Sequence, residues 1–183
     1  MATPNSPLPV LPDLSRVVDG LQQVTKAINN LAVTTAAAAG IPAATQSQPA
    51  NPTAPASTAA FKMQGLAGAI TPGKTGSVLI VISGDIISSV TTAGVGIKYQ
   101  LSYGTGAAPA NAGALAGTQV GTIREYTNPA TVVAADVFIP FTISAVVTGL
   151  SLGTPYWVDL AAEAVTTAND VGFANISVSA IEN

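Results

Sequence analysis

The sequence contains neither cysteine nor histidine. Without cysteine the chain has no disulfide framework, no thiolate metal site and no thiol nucleophile. Without histidine it lacks the side chain best suited to proton transfer near neutral pH, and with it the Ser-His-Asp and Cys-His catalytic arrangements. Carboxylates, lysine or a bound magnesium ion are all that remain for chemistry, and we expect no metal site and no cofactor.

Charge is also scarce. Charged residues make up 8% of the chain, against roughly 25% in typical soluble domains, while hydrophobic residues make up 48%. The net charge of -3 gives no attraction to nucleic acid or to an anionic membrane. The longest strongly apolar run, Val78 to Ile82, is far shorter than the roughly 20 residues that span a bilayer. So little charge leaves a monomer poorly protected against association, which predicts surface buried in an assembly.

The first 33 residues predict an arm followed by a coiled coil. Residues 1–12 carry four prolines, which indicates an extended arm, and the start of the chain does not have the pattern of a secretion signal. Residues 13–33 space their apolar side chains alternately by three and four residues, as coiled-coil a and d positions do, with Asp13 as N-cap. Valine at d disfavours a parallel dimer, so a homotrimer is predicted; the alternative is an amphipathic helix packed on its own domain. The predicted trimerisation residues are Leu14, Val17, Leu21, Val24, Ile28 and Leu31.

Residues 34–60 contain mainly Ala, Pro, Thr and Ser with no charge, and are interpreted as a linker. Residues 61–183 are rich in β-branched runs separated by Gly, Pro, Asn and Thr clusters. The predicted fold class is mainly β, a jelly-roll-like antiparallel β-sandwich. Val78 to Ile82 is apolar on both faces, and Pro140 indicates an edge strand or a bulge. The predicted strands are SVLIVISGDIIS, VGIKYQLSYG, TQVGTIREYT, VFIPFTISAVVTGL, YWVDLAAEAV and FANISVSAIEN.

The stretch GAITPGKT, Gly68 to Thr75, fits the phosphate-binding pattern G-x-x-x-x-G-K-[ST]. A working phosphate loop follows a buried parallel strand and opens a helix. Here the preceding FKMQGLA is interrupted by Gly65, and the following SVLIVIS has the composition of a strand. We therefore interpret Pro72-Gly73 as the centre of a type II turn and not as part of a nucleotide site.

Two further features invite a carbohydrate interpretation. Asp159 and Glu163 share a face of one predicted strand, but about 13 Å of strand separates them, beyond the roughly 5 to 9.5 Å of glycosidase carboxylates. Trp157 shares that face and is a candidate for stacking on a sugar; burial in the core or between subunits is the favoured alternative. The uncharged loop Gly104 to Thr118 is expected at one end of the sandwich, with ligand binding as the less favoured role.

Four blocks of the sequence resemble a β-domain of tailed-bacteriophage structural proteins, the head-fibre, decoration and tail-fibre proteins. The blocks are GLAGAITPGKTGSVLIVISGDI, YGTGAAPANAGALAGTQVG, IPFTISAVVTGLSLGTPYWVDLAAEA and ISVSAIEN. The resemblance covers residues 65–183, and the arm, helix and linker lie outside it. It implies a trimeric, non-enzymatic component of the virion surface.

Together these features predict a phage virion protein, a homotrimeric capsid decoration, cement or head-fibre protein. Its N-terminal region would attach it to other virion proteins such as the major capsid protein, with no nucleic acid, membrane or cofactor involved. The alternative is a tail-fibre or receptor-binding protein that touches host glycans through Trp157 or the loop Gly104 to Thr118. An enzyme acting on polysaccharide is disfavoured by the chain length and by the absence of a suitable carboxylate pair.

Overall fold

The computed structural model describes residues 21–26, 42–129 and 135–183. The chain divides into two units, Met1–Gly40 and Ile41–Asn183. In the first unit residues 21–26 are helical, and the Thr25 hydroxyl donates to the Leu21 carbonyl at 2.9 Å. Leu21 and Val24 are 63% and 56% exposed. The predicted arm and the other proposed trimerisation residues, Leu14, Val17, Ile28 and Leu31, lie outside the described residues.

The described part of the second unit consists of strands that pair antiparallel throughout, which confirms the predicted mainly β, antiparallel class. The six long strands lie where the β-branched runs predict them, and all of them except Thr118–Thr127 supply buried side chains to the core. The strands are β1 Ala44–Ser47, β2 Lys62–Met63, β3 Gly68–Ile70, β4 Val78–Ser88, β5 Gly96–Thr105, β6 Thr118–Thr127, β7 Val137–Val147, β8 Tyr156–Val165 and β9 Val171–Glu182.

The strands form two sheets. Sheet I has the order β1-β9-β4-β7, and sheet II has the order β2-β8-β5-β6, with β3 pairing on β8. The pairing is nested along the chain: β1 pairs with β9, β3 with β8, β4 with β7, and β5 with β6. Each strand of sheet I therefore has its nested partner as a neighbour in the same sheet.

The sheets pack face to face through one hydrophobic core. Residues from the inner faces of both sheets belong to a single buried cluster. Tyr99 of sheet II meets Phe141 and Phe173 of sheet I edge-on, with ring centroids 5.3 and 5.5 Å apart. Such edge-to-face aromatic contacts stabilise by about 1 kcal/mol beyond the burial of area. The arrangement is sandwich-like.

β4 lies inside sheet I, paired with β9 on one side and β7 on the other, and its first five residues, Val78 to Ile82, are apolar on both faces. Ile80 and Ile82 point into the core and are at most 1% exposed, whereas Leu79 and Val81 face outward and are half-buried. Pro140 lies on β7, the edge strand of sheet I, opposite Asp85. An edge strand has a free side, so the missing proline N–H leaves no ladder bond unmade.

The domain begins earlier than the sequence predicts. The sequence predicts a linker over residues 34–60, but β1 lies within them and pairs with β9. The Pro55 carbonyl accepts from the Asn169 N–H at 3.0 Å, and the Ser57 carbonyl accepts from the Ala164 N–H at 2.8 Å. Pro55 is buried. This uncharged segment of Ala, Pro, Thr and Ser is bound to the domain by hydrogen bonds of its extended backbone. The side-chain composition of a segment does not reveal such backbone contacts.

Candidate functional site

The stretch GAITPGKT surrounds an anion, and the anion is a carboxylate of the same chain. β3 ends at Ile70 and β4 begins at Val78, so a strand stands where a phosphate loop would open a helix. Between the two strands, four consecutive backbone N–H groups donate to the side chain of Glu182 at 2.5 to 3.0 Å. Those donors belong to Gly73, Lys74, Thr75 and Gly76. Consecutive amides aimed at one point form an anion-binding concavity.

We call this arrangement the Glu182 clasp; it also includes Ala43. The Ala43 N–H donates to Glu182 Oε2 at 2.9 Å, and the Glu182 N–H donates to the Ala43 carbonyl at 2.7 Å. Glu182 is 3% exposed, so its carboxylate occupies the concavity that a phosphate would need. Burial alone would raise the pKa of Glu182, but the backbone hydrogen bonds from Ala43, Gly73, Thr75 and Gly76 outweigh it and hold that pKa well below its usual range.

The turn within the clasp differs from the predicted one. Gly73 is not among the residues with positive φ; the left-handed residue is Gly76, with φ of +66°. A Cβ at Gly76 would overlap the Leu150 carbonyl oxygen. This position therefore needs glycine because of its positive φ and because it has no room for a side chain. The type II turn predicted at Pro72-Gly73 is therefore wrong, because the loop is shaped by the direction of its amides toward Glu182.

Asp159 is a second buried carboxylate, with no exposed surface. It accepts from the N–H groups of Gly65 at 2.9 Å, Leu66 at 3.0 Å and Leu160 at 2.8 Å. Burial raises the pKa of Asp159 to about 6, against the opposing effect of these three hydrogen bonds. The side chain ties the segment between β2 and β3 to β8. Its full burial leaves no access for a substrate.

Glu163, the other carboxylate considered in the sequence, does not form a catalytic pair with Asp159. Its Oε1 lies 3.6 Å from the Lys98 Nζ on β5. The Lys98 side chain is 37% exposed, so this ion pair is weak and lies at the surface. Among the residues that the structure describes, no group of three or more acidic side chains is placed to hold a metal ion.

Trp157 is buried, at 6% exposure, and forms a second apolar cluster with Met63 and Ala161. Its indole N–H donates to the Thr105 carbonyl at 3.2 Å. One face of the ring lies against Gly104, where a Cβ would come within 2.5 Å of Trp157 Cζ2. The ring is therefore an internal packing element of the outer side of sheet II, as the alternative interpretation of the sequence held, and has no free face for a sugar.

The loop Gly104 to Thr118 connects the end of β5 to the start of β6 and folds back over sheet II. The Met63 N–H donates to the Gly113 carbonyl at 3.0 Å, and the Ala112 N–H donates to the Met63 carbonyl at 2.8 Å. The Asn111 side-chain amide donates to the Gln64 carbonyl at 2.9 Å. These bonds fix the middle of the loop against β2.

The outer face of sheet I has a different character. It presents the exposed apolar side chains Phe138, Val146 and Ile181, which are 53%, 52% and 44% exposed. Its one charged side chain is Asp85, which accepts from the Asn175 amide at 2.8 Å. The strands of sheet II, by contrast, carry most of the charge of the described strands: Lys62, Lys98, Arg124, Glu125, Asp159 and Glu163.

We regard the outer face of sheet I as the candidate functional surface, because a face with a single charged side chain and several exposed apolar ones is typical of protein contact sites. In the described parts of the chain no helix has the length and apolar character to cross a membrane. Neither the comparison with protein-family models nor the comparison with curated proteins finds a match for this chain.

Proposed function

We propose that this protein is a non-enzymatic structural component of a tailed-phage virion, a homotrimer that decorates the capsid as a cement or head-fibre protein. The observation that carries the proposal is the outer face of sheet I, which has Asp85 as its one charged side chain and leaves Phe138, Val146 and Ile181 exposed. A surface of this kind suits a subunit of an assembly better than a free monomer. The resemblance of residues 65–183 to phage structural proteins favours a virion as the assembly to which the subunit belongs.

The same proposal takes the sandwich to be a jelly roll. Support comes from the nested pairing of β1 with β9, β3 with β8, β4 with β7 and β5 with β6. A long antiparallel hairpin that is folded over into two facing sheets gives this pattern of pairs. Jelly rolls of eight strands occur in viral capsid and lectin domains.

Attachment and trimer formation are assigned to the N-terminal region. Residues 13–33 would form the coiled coil, and the arm over residues 1–12 would lie on the major capsid protein or another virion protein. The helical conformation of residues 21–26 and the exposure of Leu21 and Val24 support a seam that other chains cover. Apolar a and d side chains gain stability only when a partner helix buries them.

The tail-fibre or receptor-binding alternative has less support than capsid decoration. It requires Trp157 or the loop Gly104 to Thr118 as glycan contacts. The tryptophan ring is buried, and the middle of the loop is hydrogen-bonded to β2. Because some lectin domains are jelly rolls, the experiment below also tests for receptor binding.

The proposal is tested by deleting the gene from the phage that encodes this chain. We expect heads that remain infectious but lose their DNA on mild heating, with full resistance restored by the intact chain supplied in trans. A cryo-EM difference map between the two particles should show threefold density on the capsid. Loss of adsorption to the host, with heads of normal heat resistance, would instead establish the receptor-binding alternative.

A further inference from the structure

We propose that the outer face of sheet I is the surface through which the β-domains of three copies of this chain pack against one another. This inference rests on the trimer of the proposed function and identifies the contact that the trimer uses. The strongest part of the face is a line of apolar side chains that crosses all four strands of the sheet. We call it the apolar row; its members are Ala44, Ile181, Leu79 and Val146.

The register of the strands places the row. Leu79 on β4 lies directly opposite Ile181 on β9 and Val146 on β7, and Ala44 on β1 lies opposite Ile181. Neighbouring strands are about 4.8 Å apart, so the row is about 14 Å wide. Val146 and Ile181 are 52% and 44% exposed, so the apolar area remains available to a partner.

The surface beside the row is also suited to close contact. The next outward positions are Val81, flanked by Ser144 and Ser179, and then Ser83, flanked by Thr142 and Ser177. Small hydroxyl side chains bury at little entropic cost and can exchange hydrogen bonds across an interface. Proteins that keep sheets apart place charged side chains on them, and this part of the face has none. An uncharged face is best matched by a partner that is equally uncharged, as a second copy is.

β1, which supplies Ala44 to the row, is the first strand of the second unit. Three chains held together in the proposed trimer present their rows to one another at a high effective concentration.

Single cysteines test the contact directly, because the chain has none of its own. Ser144→Cys places a thiol on the outer face of sheet I, and Thr122→Cys places one on an exposed position of β6 in sheet II. The full-length variants are treated with a short bis-maleimide and separated on a denaturing gel. We expect covalent dimers from Ser144→Cys and monomers from Thr122→Cys. Equal cross-linking of the two variants, or none from Ser144→Cys, would overturn the assignment.

A charge placed in the row provides a second measurement. Val146 is half-exposed, so Val146→Lys leaves the fold of a single domain intact, and Thr122→Lys is its control on sheet II. An unpaired charge buried at a contact weakens association, and we expect the midpoint concentration of trimer dissociation to rise by at least about tenfold for Val146→Lys alone. Light scattering over a dilution series measures it, and an unchanged midpoint contradicts the proposal.

The mass of the wild-type chain separates failure of this inference from failure of the proposed function. A monomer at micromolar concentration refutes the proposed trimer and this contact with it. A wild-type trimer in which Ser144→Cys gives no cross-link and Val146→Lys has no effect refutes only the contact. The face would then be free in the trimer, and the capsid would be the surface that covers it in the particle.

Discussion

Glu182 lies where a phosphate would lie in a nucleotide-binding loop, and its carboxylate accepts hydrogen bonds from the segment Gly73 to Gly76 and from Ala43. One side chain thus joins the start of β1, the connection between β3 and β4, and the end of β9. Charged acceptors make hydrogen bonds about twice as strong as neutral ones. The clasp therefore stabilises the corner of the domain at which the N-terminal region is attached.

Glu182→Gln should lower the thermal stability of the domain at pH 7. A glutamine has one acceptor oxygen, and its NH2 group would face N–H donors that the second carboxylate oxygen now satisfies. Glu163→Gln is the matched control, because its surface pair with Lys98 contributes at most about 1 kcal/mol. Thermal unfolding followed by circular dichroism measures both variants. Equal melting temperatures for the two would contradict the importance of the clasp.

The two buried carboxylates give opposite dependences of stability on pH. The pKa of Asp159 is raised to about 6 in the fold from an ordinary value of 3.8, so its contribution to stability rises as the pH falls through 6 toward 4. The pKa of Glu182 is lowered from 4.5, so its contribution is present above pH 4.5 and is lost as the pH falls below that value. The two effects together place the maximum of stability near pH 4 to 5.

The wild-type domain should therefore gain stability between pH 7 and pH 5, by about 1.4 kcal/mol from Asp159, since pH 5 lies one unit below its folded pKa of about 6. Asp159→Asn removes the titrating group, so the slope in this range should disappear whatever the variant does to absolute stability. Urea unfolding at a series of pH values measures the slope. A wild-type slope that persists in Asp159→Asn would assign the effect to another group.

At the scale of elements, the segment before β2 is part of the domain. Its β1 strand extends sheet I, and the carbonyls of Pro55 and Ser57 accept hydrogen bonds from residues beyond and within β8. A segment of this composition would ordinarily be removed as a linker when a domain is expressed alone. Because the backbone of this segment is hydrogen-bonded to the rest of the domain, removing the segment lowers the stability of the domain.

A chain of residues 42–183 should fold with a single cooperative unfolding transition, whereas a chain of residues 61–183 should be less stable by at least roughly 3 kcal/mol. Each backbone hydrogen bond contributes about 1 kcal/mol, and the shorter chain loses those of β1, Pro55 and Ser57. Urea unfolding of both chains provides the measurement. Equal stability would show that residues 42–60 are only a linker after all.

The long strands could be predicted from the sequence, and the short ones could not. β4 and β8 have runs of β-branched and aromatic residues that indicate a strand without further information. β1, with the sequence ATQS, has no such run, because its position is decided by the open edge of β9 far along the chain. Alternation and composition report the faces of a strand and carry no information about which edge is free.

Contacts between distant segments also decide the candidate site, and local composition does not predict them. Burial of Trp157 depends on Met63 and on two glycines, Gly104 and Gly117, that let the loop approach the ring. The sequence placed Trp157, Asp159 and Glu163 on one face correctly, but whether that face is covered depends on contacts across more than one strand. The apolar row required the register of β1, β9, β4 and β7 together.

At the scale of the whole molecule, charge is distributed unequally between the two sheets. Sheet II carries the ion pair of Lys98 and Glu163 and the exposed Arg124 and Glu125. The outer face of sheet I has Asp85 alone. Charged side chains keep a surface in water, and under the proposed function the nearly uncharged face is the one that the assembly would cover.

The N-terminal helix offers the last test, since Leu21 and Val24 are predicted a and d residues and are exposed in the single chain. The double variant Leu21→Glu, Val24→Glu should move the trimer midpoint to at least tenfold higher concentration. Burying unpaired carboxylates in a seam costs several kcal/mol, and about 2.7 kcal/mol per trimer suffices for a tenfold shift of the midpoint. The double variant Gln22→Glu, Gln23→Glu is the matched control, with the same added charge on neighbouring positions outside the predicted seam. Light scattering measures the mass, and unfolding of the β-domain should be alike in both. If both variants remain trimeric at the same concentrations, the helix is not the seam, and the alternative of an amphipathic helix packed on its own domain takes its place.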